Sequence, residues 1–287
     1  MIGLVGCGAM GSAMLARLIE KGHDVLCYDA QANARERASQ LGGHVADNLS
    51  TLGNKRCSPI ILSLPRADIV EQVMAELGPH LPAETIVLDT STSEPETTRQ
   101  LAATGQTAGY VFLDGPVSGG PLGAKSGTMT FVLGGPEASI AQVRPLLEDL
   151  AGKIVHVGPS GSGHAAKIAN NLLCAANLVL VSEMARLADS SGIDITDLLE
   201  GVNAGSGRSG VSEVNFPKWI LTESFDSGFT MGLMRKDVGL AVKLADRHAL
   251  DLPGTRAIAA IWESSRELLP DSAEFNEIYK YGGPNRD

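Results

Sequence analysis

The chain has 287 residues, of which 44% are apolar and 20% are charged, as in ordinary globular proteins. Lys and Arg number 23 against 33 Asp and Glu, so the formal net charge is −10. This balance disfavours a nucleic-acid-binding protein, which needs a basic face to displace counterions from phosphates. At about 150 residues per domain, the length suggests two domains or one large one.

Cysteine usage and hydropathy favour an intracellular enzyme. The four cysteines show neither CxxC spacing nor a histidine at metal-ligand spacing, so we expect reduced thiols, a cytoplasmic location and no metal. The longest apolar run, residues 172–181, is interrupted by Asn177 and is too short to cross a bilayer, so no membrane partner is expected.

The first half of the chain alternates between short apolar runs and segments with helical spacing. The predicted strands are Ile2–Val5, Val25–Tyr28, Pro59–Leu64, Thr85–Asp89, Val111–Leu113, Thr128–Leu133 and Ile154–Val157. The predicted helices are Ala9–Lys21, Ala32–Leu41, Ala67–Leu77 and Pro95–Ala103. Strands rich in Val, Ile and Leu, separated by helices, predict an α/β fold with a parallel sheet covered on both faces.

The second half lacks predicted strands. A long, mostly apolar helix is predicted from His164 to Ser190, and helical spacing continues to about Leu269. The Pro, Gly and Ser cluster at residues 158–163 is the best boundary between the two patterns. The sequence therefore predicts one domain over residues 1–160 and an all-helical domain over residues 161–287.

The first predicted strand and helix are joined by a G-x-G-x-x-G pattern, formed by Gly6, Cys7, Gly8, Ala9, Met10 and Gly11. Gly6 permits the tight turn, Gly8 lets a pyrophosphate approach the backbone, and Gly11 lets the helix pack on the strand. The free N–H groups at the start of the helix then face the phosphates. A dinucleotide site is the predicted function of this turn, and a glycine-rich turn without ligand is the alternative.

Asp29 directly follows the second predicted strand, at the position where dinucleotide-binding folds hold the adenosine ribose. A carboxylate there accepts hydrogen bonds from both ribose hydroxyls and repels a 2′-phosphate. Ala30 and Gln31 supply no cation. We therefore expect NAD as the cofactor, with NADP as the alternative.

Lys167 and Asn171 lie one turn apart on one face of the long predicted helix. A lysine in an apolar neighbourhood loses its proton more easily, so Lys167 is a candidate acid/base, and Asn171 is placed to hold a substrate oxygen. The alternative is a lysine whose ammonium reaches solvent. The neighbouring dinucleotide domain favours the catalytic interpretation.

A glycine-rich stretch, residues 114–128, contains Ser118, Gly119 and Gly120. We expect a loop here, because the stretch is too rich in glycine for the interior of a strand or helix. Successive backbone N–H groups of such a loop form a concavity that suits a carboxylate. The alternative is a turn that serves packing alone.

Together these stretches resemble the β-hydroxyacid dehydrogenase family, which includes 3-hydroxyisobutyrate dehydrogenase and tartronate semialdehyde reductase. The resemblance covers nearly the whole chain. The motifs that carry it are GLVGCGAMGSAM, Leu64-Pro65, LDTST, DGPVSGGPLGAKSGTMT, GSGHAAKIANN and MRKDVGLA.

The resemblance implies a Rossmann-type doubly wound sheet followed by an all-helical domain that forms a homodimer or homotetramer. It implies hydride transfer between a nicotinamide cofactor and a small 3-hydroxy acid or semialdehyde. Lys167 is then the acid/base, and Asn171 lies beside a substrate carboxylate held by Ser118, Gly119 and Gly120. By the same resemblance, the residues outside the fingerprint that contact the dinucleotide are Leu64, Pro65, Thr92 and Lys236.

Two departures leave the substrate open: Arg66 follows Leu64-Pro65, and residues 207–210 lack the aromatic residue of several family members. One alternative function is reduction of an imine by the same fold, although imine reductases usually lack the lysine. The other is a non-catalytic dinucleotide-fold module, which we expect to carry basic extensions and to have lost Lys167 and Asn171.

Overall fold

The structure, a computed structural model, describes residues 1–282. Its contacts divide the chain into two compact units, residues 1–167 and the residues from Ile168 onwards. The sequence places the boundary slightly earlier, at the 158–163 cluster. The difference arises because the first turn of the long helix still bonds to the sheet unit, which the end of the strand pattern does not reveal.

The first unit consists of one sheet and its covering helices. Within the described residues its strands are Ile2–Val5 (β1), Val25–Tyr28 (β2), His44–Val45 (β3), Ile60–Leu62 (β4), Ile86–Asp89 (β5), Val111–Asp114 (β6), Val117–Ser118 (β7), Met129–Gly134 (β8) and Ala151–Gly158 (β9). The helices are Ala9–Glu20 (α1), Ala32–Gln40 (α2), Ser50–Asn54 (α3), Ala67–Leu77 (α4), Pro95–Ala108 (α5), Gly120–Ser126 (α6) and Glu137–Leu150 (α7).

The sheet confirms the predicted Rossmann-type winding. Strands β3, β2, β1, β4, β5 and β6 are parallel neighbours in that order, so the winding reverses between β1 and β4. Ligands of such sheets bind at the carboxyl ends of the strands beside this reversal. An antiparallel addition was not predicted: β8 runs antiparallel to β6 and β7, and β9 pairs parallel with β8.

The strand register brings several of the predicted site residues to the carboxyl ends of the parallel strands. Val5 pairs with Tyr28 and with Leu62, Leu62 pairs with Asp89, and Asp89 pairs with Asp114. These five residues therefore form one row at the carboxyl ends of five strands. The fingerprint, Asp29, Leu64, Thr92 and the glycine-rich stretch all follow directly from this row.

Alternating strand residues build two cores, one on each face of the sheet. Leu4, Ile61 and Leu88 pack on one face, against α1 and α7. Ile60 and Leu62 pack on the other face, against α4. Burial of both faces explains why these strands read as continuous apolar runs.

The glycine-rich stretch corrects one expectation, because it is not a simple loop. Val117–Ser118 forms β7, and Gly120–Ser126 forms α6 with a proline in its first turn. Positive φ angles are confined to Gly119 (115°), Gly120 (63°) and Gly127 (69°). The glycines therefore serve the two ends of a short helix, and its interior residues take ordinary helical conformations.

The regular elements of the second unit are helices within its described residues, as predicted, apart from one isolated β-bridge between Thr230 and Glu274. The long helix Ser162–Ser190 (α8) begins in the first unit and continues into the second. The later elements are Ile195–Ala204 (α9), a π-helix over Val211–Ile220, Met231–Arg247 (α10) and Pro253–Ser264 (α11). The core contains Phe216, Met231 and Trp262, all fully buried.

Helix α8 is long and apolar enough to cross a membrane by length and composition alone, unlike the shorter run judged from sequence. A core helix of a soluble protein meets the same criterion. Four polar side chains on it, His164, Lys167, Asn171 and Ser182, are buried within the protein. Their burial fits the core-helix interpretation.

Candidate active site

The fingerprint turn has the packing that its glycines predict. Gly6 has a φ of +94°, and a Cβ there would overlap the carbonyl oxygen of Ser63. A Cβ on Gly11 would overlap the carbonyl oxygen of Gly6. At Gly8, by contrast, a Cβ meets nothing within 4 Å. The start of α1 is therefore open at Gly8, which fits the approach of a pyrophosphate.

The carboxylate of Asp29 is fixed beside this turn. Its Oδ2 accepts a hydrogen bond of 2.7 Å from the backbone N–H of Cys7, and its Oδ1 accepts one of 2.8 Å from that of Gln31. A carboxylate has about four lone-pair sites, so each oxygen keeps acceptor capacity for a ribose hydroxyl. The glycine fingerprint and Asp29, the residue predicted to bind the ribose, are thus joined by a hydrogen bond.

The Cys27 thiol beneath the fingerprint is protected from ionisation. Cys7 and Cys27 are buried, and all four cysteines are free thiols. The hydrogen bond with Cys7, together with burial, raises the pKa of the Cys27 thiol far above its usual range. Cys27 is therefore an apolar packing residue at neutral pH.

Lys167 meets Ser118 in the first unit. The lysine is 8% exposed, and its Nζ donates a hydrogen bond of 2.9 Å to the Oγ of Ser118. Ser118 ends β7, and the positive φ angles of Gly119 and Gly120 turn the chain there into α6. The structure therefore brings the predicted acid/base to the stretch predicted to hold a carboxylate.

The first turn of α8 is held by the buried carboxylate of Asp114. Its Oδ1 accepts a hydrogen bond of 2.8 Å from the N–H of Gly161, and its Oδ2 accepts one of 2.9 Å from the N–H of His164. These N–H groups lie at the start of the helix, where no intrahelical acceptor exists. Asp114 also lies at the end of β6, four residues before Ser118. One side chain thus ties the helix of Lys167 to the strand leading to Ser118.

His164 makes a second connection from the same turn. Its ring is fully buried, with Nε2 3.0 Å from the carbonyl oxygen of Ser91 and Nδ1 2.7 Å from the Oγ of Thr98. A carbonyl only accepts, so Nε2 donates the hydrogen bond to Ser91, and Nδ1 pairs with the Thr98 hydroxyl. His164 thus connects the start of α8 to the end of β5 and to α5.

Asn171 is oriented within the second unit by Asp237. Its Nδ2 donates a hydrogen bond of 2.5 Å to Oδ2 of Asp237, and its Oδ1 accepts one of 3.0 Å from Asn170. The Nζ of Lys236 lies 3.2 Å from Oδ1 of Asp237. Asp237 therefore connects two predicted site residues.

The remaining predicted contacts lie along the row of strand ends. The N–H of Leu64 donates a hydrogen bond of 3.0 Å to the Oγ of Ser91. Pro65 is exposed and Thr92 is half-buried, as their loop positions predict. Their contact with a dinucleotide stays a prediction.

Sequence reasoning missed Asp114 and Asp237. Asp114 opens the conspicuous glycine-rich motif at the end of a predicted strand, and Asp237 is adjacent to Lys236. The carboxylate side chain at each position, next to residues already singled out, was the signal that could have identified Asp114 and Asp237. Within residues 1–282, no group of three or more His, Cys, Asp or Glu is placed to hold a metal ion, and the absence of a metal cofactor stays a prediction.

Each half of the chain matches a known family model. Residues 1–158 match the family model described as the NAD binding domain of 6-phosphogluconate dehydrogenase. Residues 161–281 match the model described as NAD-binding of NADP-dependent 3-hydroxyisobutyrate dehydrogenase. The two models meet at the Pro, Gly and Ser cluster identified from the sequence.

Individual relatives cover nearly the whole chain. A 2-(hydroxymethyl)glutarate dehydrogenase of Eubacterium barkeri is 35% identical over 97% of this chain and 93% of its own. The mitochondrial 3-hydroxyisobutyrate dehydrogenase of Drosophila melanogaster is 32% identical, over 97% and 88%. Among solved structures, the Mycobacterium tuberculosis 3-hydroxyisobutyrate dehydrogenase with L-serine has a TM-score of 0.92 and 28% identity, and the alignment covers 97% of each chain.

The role of Asp114 is tested by D114N, which replaces one carboxylate oxygen with an NH2 group. This group cannot accept a hydrogen bond from a backbone N–H at the start of α8. We expect the free energy of unfolding to fall by about 1–3 kcal/mol. The matched control is D194N, because exposed Asp194 caps α9 through Thr196 and asparagine caps equally well. Urea unfolding followed by circular dichroism measures both. Equal stability of the two variants would contradict the role of Asp114.

Proposed function

Because the chain belongs to the β-hydroxyacid dehydrogenase family, we propose that it oxidises a small 3-hydroxy acid, or reduces the matching semialdehyde, with Lys167 as the acid/base. It is a nicotinamide-dinucleotide-binding oxidoreductase of the 3-hydroxyisobutyrate dehydrogenase type. The observation that supports the proposed catalytic role is the buried Nζ of Lys167, 2.9 Å from the Oγ of Ser118.

The names of the relatives suggest a substrate class. 3-Hydroxyisobutyrate, 2-(hydroxymethyl)glutarate and L-serine share a primary alcohol on the carbon next to the one that bears a carboxylate. They differ only in the third substituent of that central carbon, which is methyl, carboxyethyl or amino. We propose that this chain acts on a compound HOCH2–CH(R)–COO⁻.

In the proposed reaction, Ser118, Gly119 and Gly120 hold the carboxylate and Lys167 handles the proton. Ser118 accepts its hydrogen bond from Lys167, so its own hydroxyl proton is available to the carboxylate. Lys167, as the neutral amine, takes the proton of the substrate hydroxyl, and in the reverse direction its ammonium returns that proton. Asn171, oriented by Asp237, holds the substrate oxygen. When bound, the nicotinamide ring supplies the hydride chemistry.

NAD is the proposed preferred cofactor, since Asp29 offers acceptors to ribose hydroxyls and its charge repels a 2′-phosphate. The residues that would hold the dinucleotide are Gly6, Cys7, Gly8, Ala9, Met10, Gly11, Asp29, Leu64, Pro65, Thr92 and Lys236. A cytoplasmic location is proposed from the four free cysteines.

Helix α8 also supports self-association. Leu173, Leu180, Met184 and Leu187 are between 45% and 64% exposed, and their spacing places them in one stripe opposite the buried face of the helix. Soluble monomers rarely expose a continuous apolar surface of this kind. Leu173 and Leu187 are equally distant from Leu180, so a two-fold axis at Leu180 makes the stripe self-complementary. We therefore propose a second copy of this chain as its partner.

The proposed chemistry is tested by Lys167→Met, which keeps the apolar stem and removes the amine. Its kcat should fall by about 10²–10⁴-fold on 3-hydroxyisobutyrate, 2-(hydroxymethyl)glutarate or serine, whereas NADH binding should be unchanged. Exposed Lys153 provides the control variant Lys153→Met. Steady-state kinetics and NADH fluorescence measure the two quantities. Near-normal turnover of Lys167→Met, or activity of the wild type on imines alone, would refute the proposal.

The cofactor preference is tested by Asp29→Asn, which removes the charge and one acceptor. The ratio of kcat/KM with NAD to that with NADP should fall by roughly tenfold or more, because hydrogen bonds to a charged group are lost and a repulsion is relieved. Asp24→Asn, at the opposite end of β2, is the control. A wild-type enzyme that prefers NADP would contradict the role of Asp29.

Self-association is tested by Leu180→Glu, which places a charge in the centre of the stripe. Light scattering should show a multimer for the wild type and a monomer for this variant, since burial of an unpaired carboxylate is unfavourable. Leu250 is also exposed, lies outside α8 and provides the control Leu250→Glu. A monomeric wild type, or an intact multimer of Leu180→Glu, would exclude this interface.

A further inference from the structure

A cavity of about 490 Å³ lies against the fingerprint, within the first unit. One wall is formed by Gly8, which precedes α1, and by Ala9 and Ser12 of α1. Arg37 and Gln40 of α2, followed by Leu41, form the other. The cavity therefore adjoins the same open start of α1 that is proposed to receive the pyrophosphate.

Arg37 brings a positive charge to this cavity without an internal partner. It is exposed, and within residues 1–282 its guanidinium has neither an ion pair nor a side-chain hydrogen bond. Neighbouring Arg35 differs, because its Nη1 donates to the carbonyl oxygens of Asp29 at 2.7 Å and Ala30 at 3.0 Å. Arg35 thus stabilises the β2–α2 turn, whereas the guanidinium of Arg37 remains available to a ligand.

The wall of the cavity formed by the start of α1 also favours an anion. No acidic side chain lines the cavity. The start of α1 contributes unsatisfied N–H groups and a partial positive charge. Ser12 directs its hydroxyl proton to the carbonyl oxygen of Cys7 at 2.7 Å, so it contributes no donor. The side-chain cation of this cavity is therefore Arg37, whose planar fork matches two phosphate oxygens.

We propose that Arg37 binds the bridging phosphates of the dinucleotide, as a binding residue beyond the glycine fingerprint. The inference rests on the proposed placement of the pyrophosphate at Gly8 and Ala9. The 2′ position is the less favoured partner, because it belongs to the ribose assigned to Asp29, whose carboxylate repels a 2′-phosphate. Arg37 thus adds affinity for NAD and NADP alike.

The test compares Arg37→Ala, Arg37→Lys and the control Lys55→Ala, which removes an exposed cation away from the cavity. Fluorescence titration gives the Kd of NADH and NADPH, and competition gives those of ADP-ribose and adenosine. Arg37→Ala should weaken NADH, NADPH and ADP-ribose by about 5–20-fold and leave adenosine, which has no phosphate, unchanged. Arg37→Lys should recover part of the loss, and Arg37→Ala should show a weaker salt dependence of NADH binding.

The outcomes separate this inference from the proposed function. Wild-type NADH affinity in Arg37→Ala overturns the role of Arg37 and leaves the dehydrogenase assignment standing. A loss confined to NADPH places Arg37 at the 2′-phosphate and also overturns the inference. A wild-type protein that binds neither dinucleotide refutes the proposed function itself, and with it this role of Arg37.

Discussion

The buried carboxylate of Asp114 is the constraint on which the candidate site depends. It is fully buried, and its two oxygens accept from Gly161 and His164 at the start of α8. An isolated buried charge is strongly unfavourable, so the carboxylate is tolerated because these helix N–H groups solvate it. The requirement is mutual, since the same N–H groups have no partner inside the helix. Lys167 lies one turn after His164, so the hydrogen bonds of Asp114 also fix the position of Lys167.

Carboxylates recur in this positioning role. Asp29 links the fingerprint to the end of β2, Asp114 links β6 to α8, and Asp237 orients Asn171 within the second unit. In each case an acidic side chain fixes a neighbouring segment or side chain through hydrogen bonds to its N–H groups. The site is thus organised by charge-assisted hydrogen bonds, which are shorter and stronger than neutral ones.

Much of the first unit follows from sequence periodicity. Buried parallel strands give continuous apolar runs, and the fingerprint has a fixed place between a strand and a helix. The short elements β3 and α3 escaped prediction because two to five residues carry no measurable period. Helix α6 was wrongly predicted as a loop because of the high glycine content of its segment. The glycines with positive φ, Gly119, Gly120 and Gly127, lie at the two ends of this helix and leave its interior helical. Asp114 was missed because its partners, Gly161 and His164, are distant in sequence.

The continuity of α8 has a consequence for how such a chain can diverge. One uninterrupted helix carries Lys167 and Asn171, and each residue of an α-helix turns the next by about 100°. An insertion or deletion of a single residue between them would rotate one of these two proposed site residues away from the other, whereas surface loops tolerate length changes. Evolution of new specificity in this scaffold is therefore expected through substitutions along α8 and through length variation elsewhere.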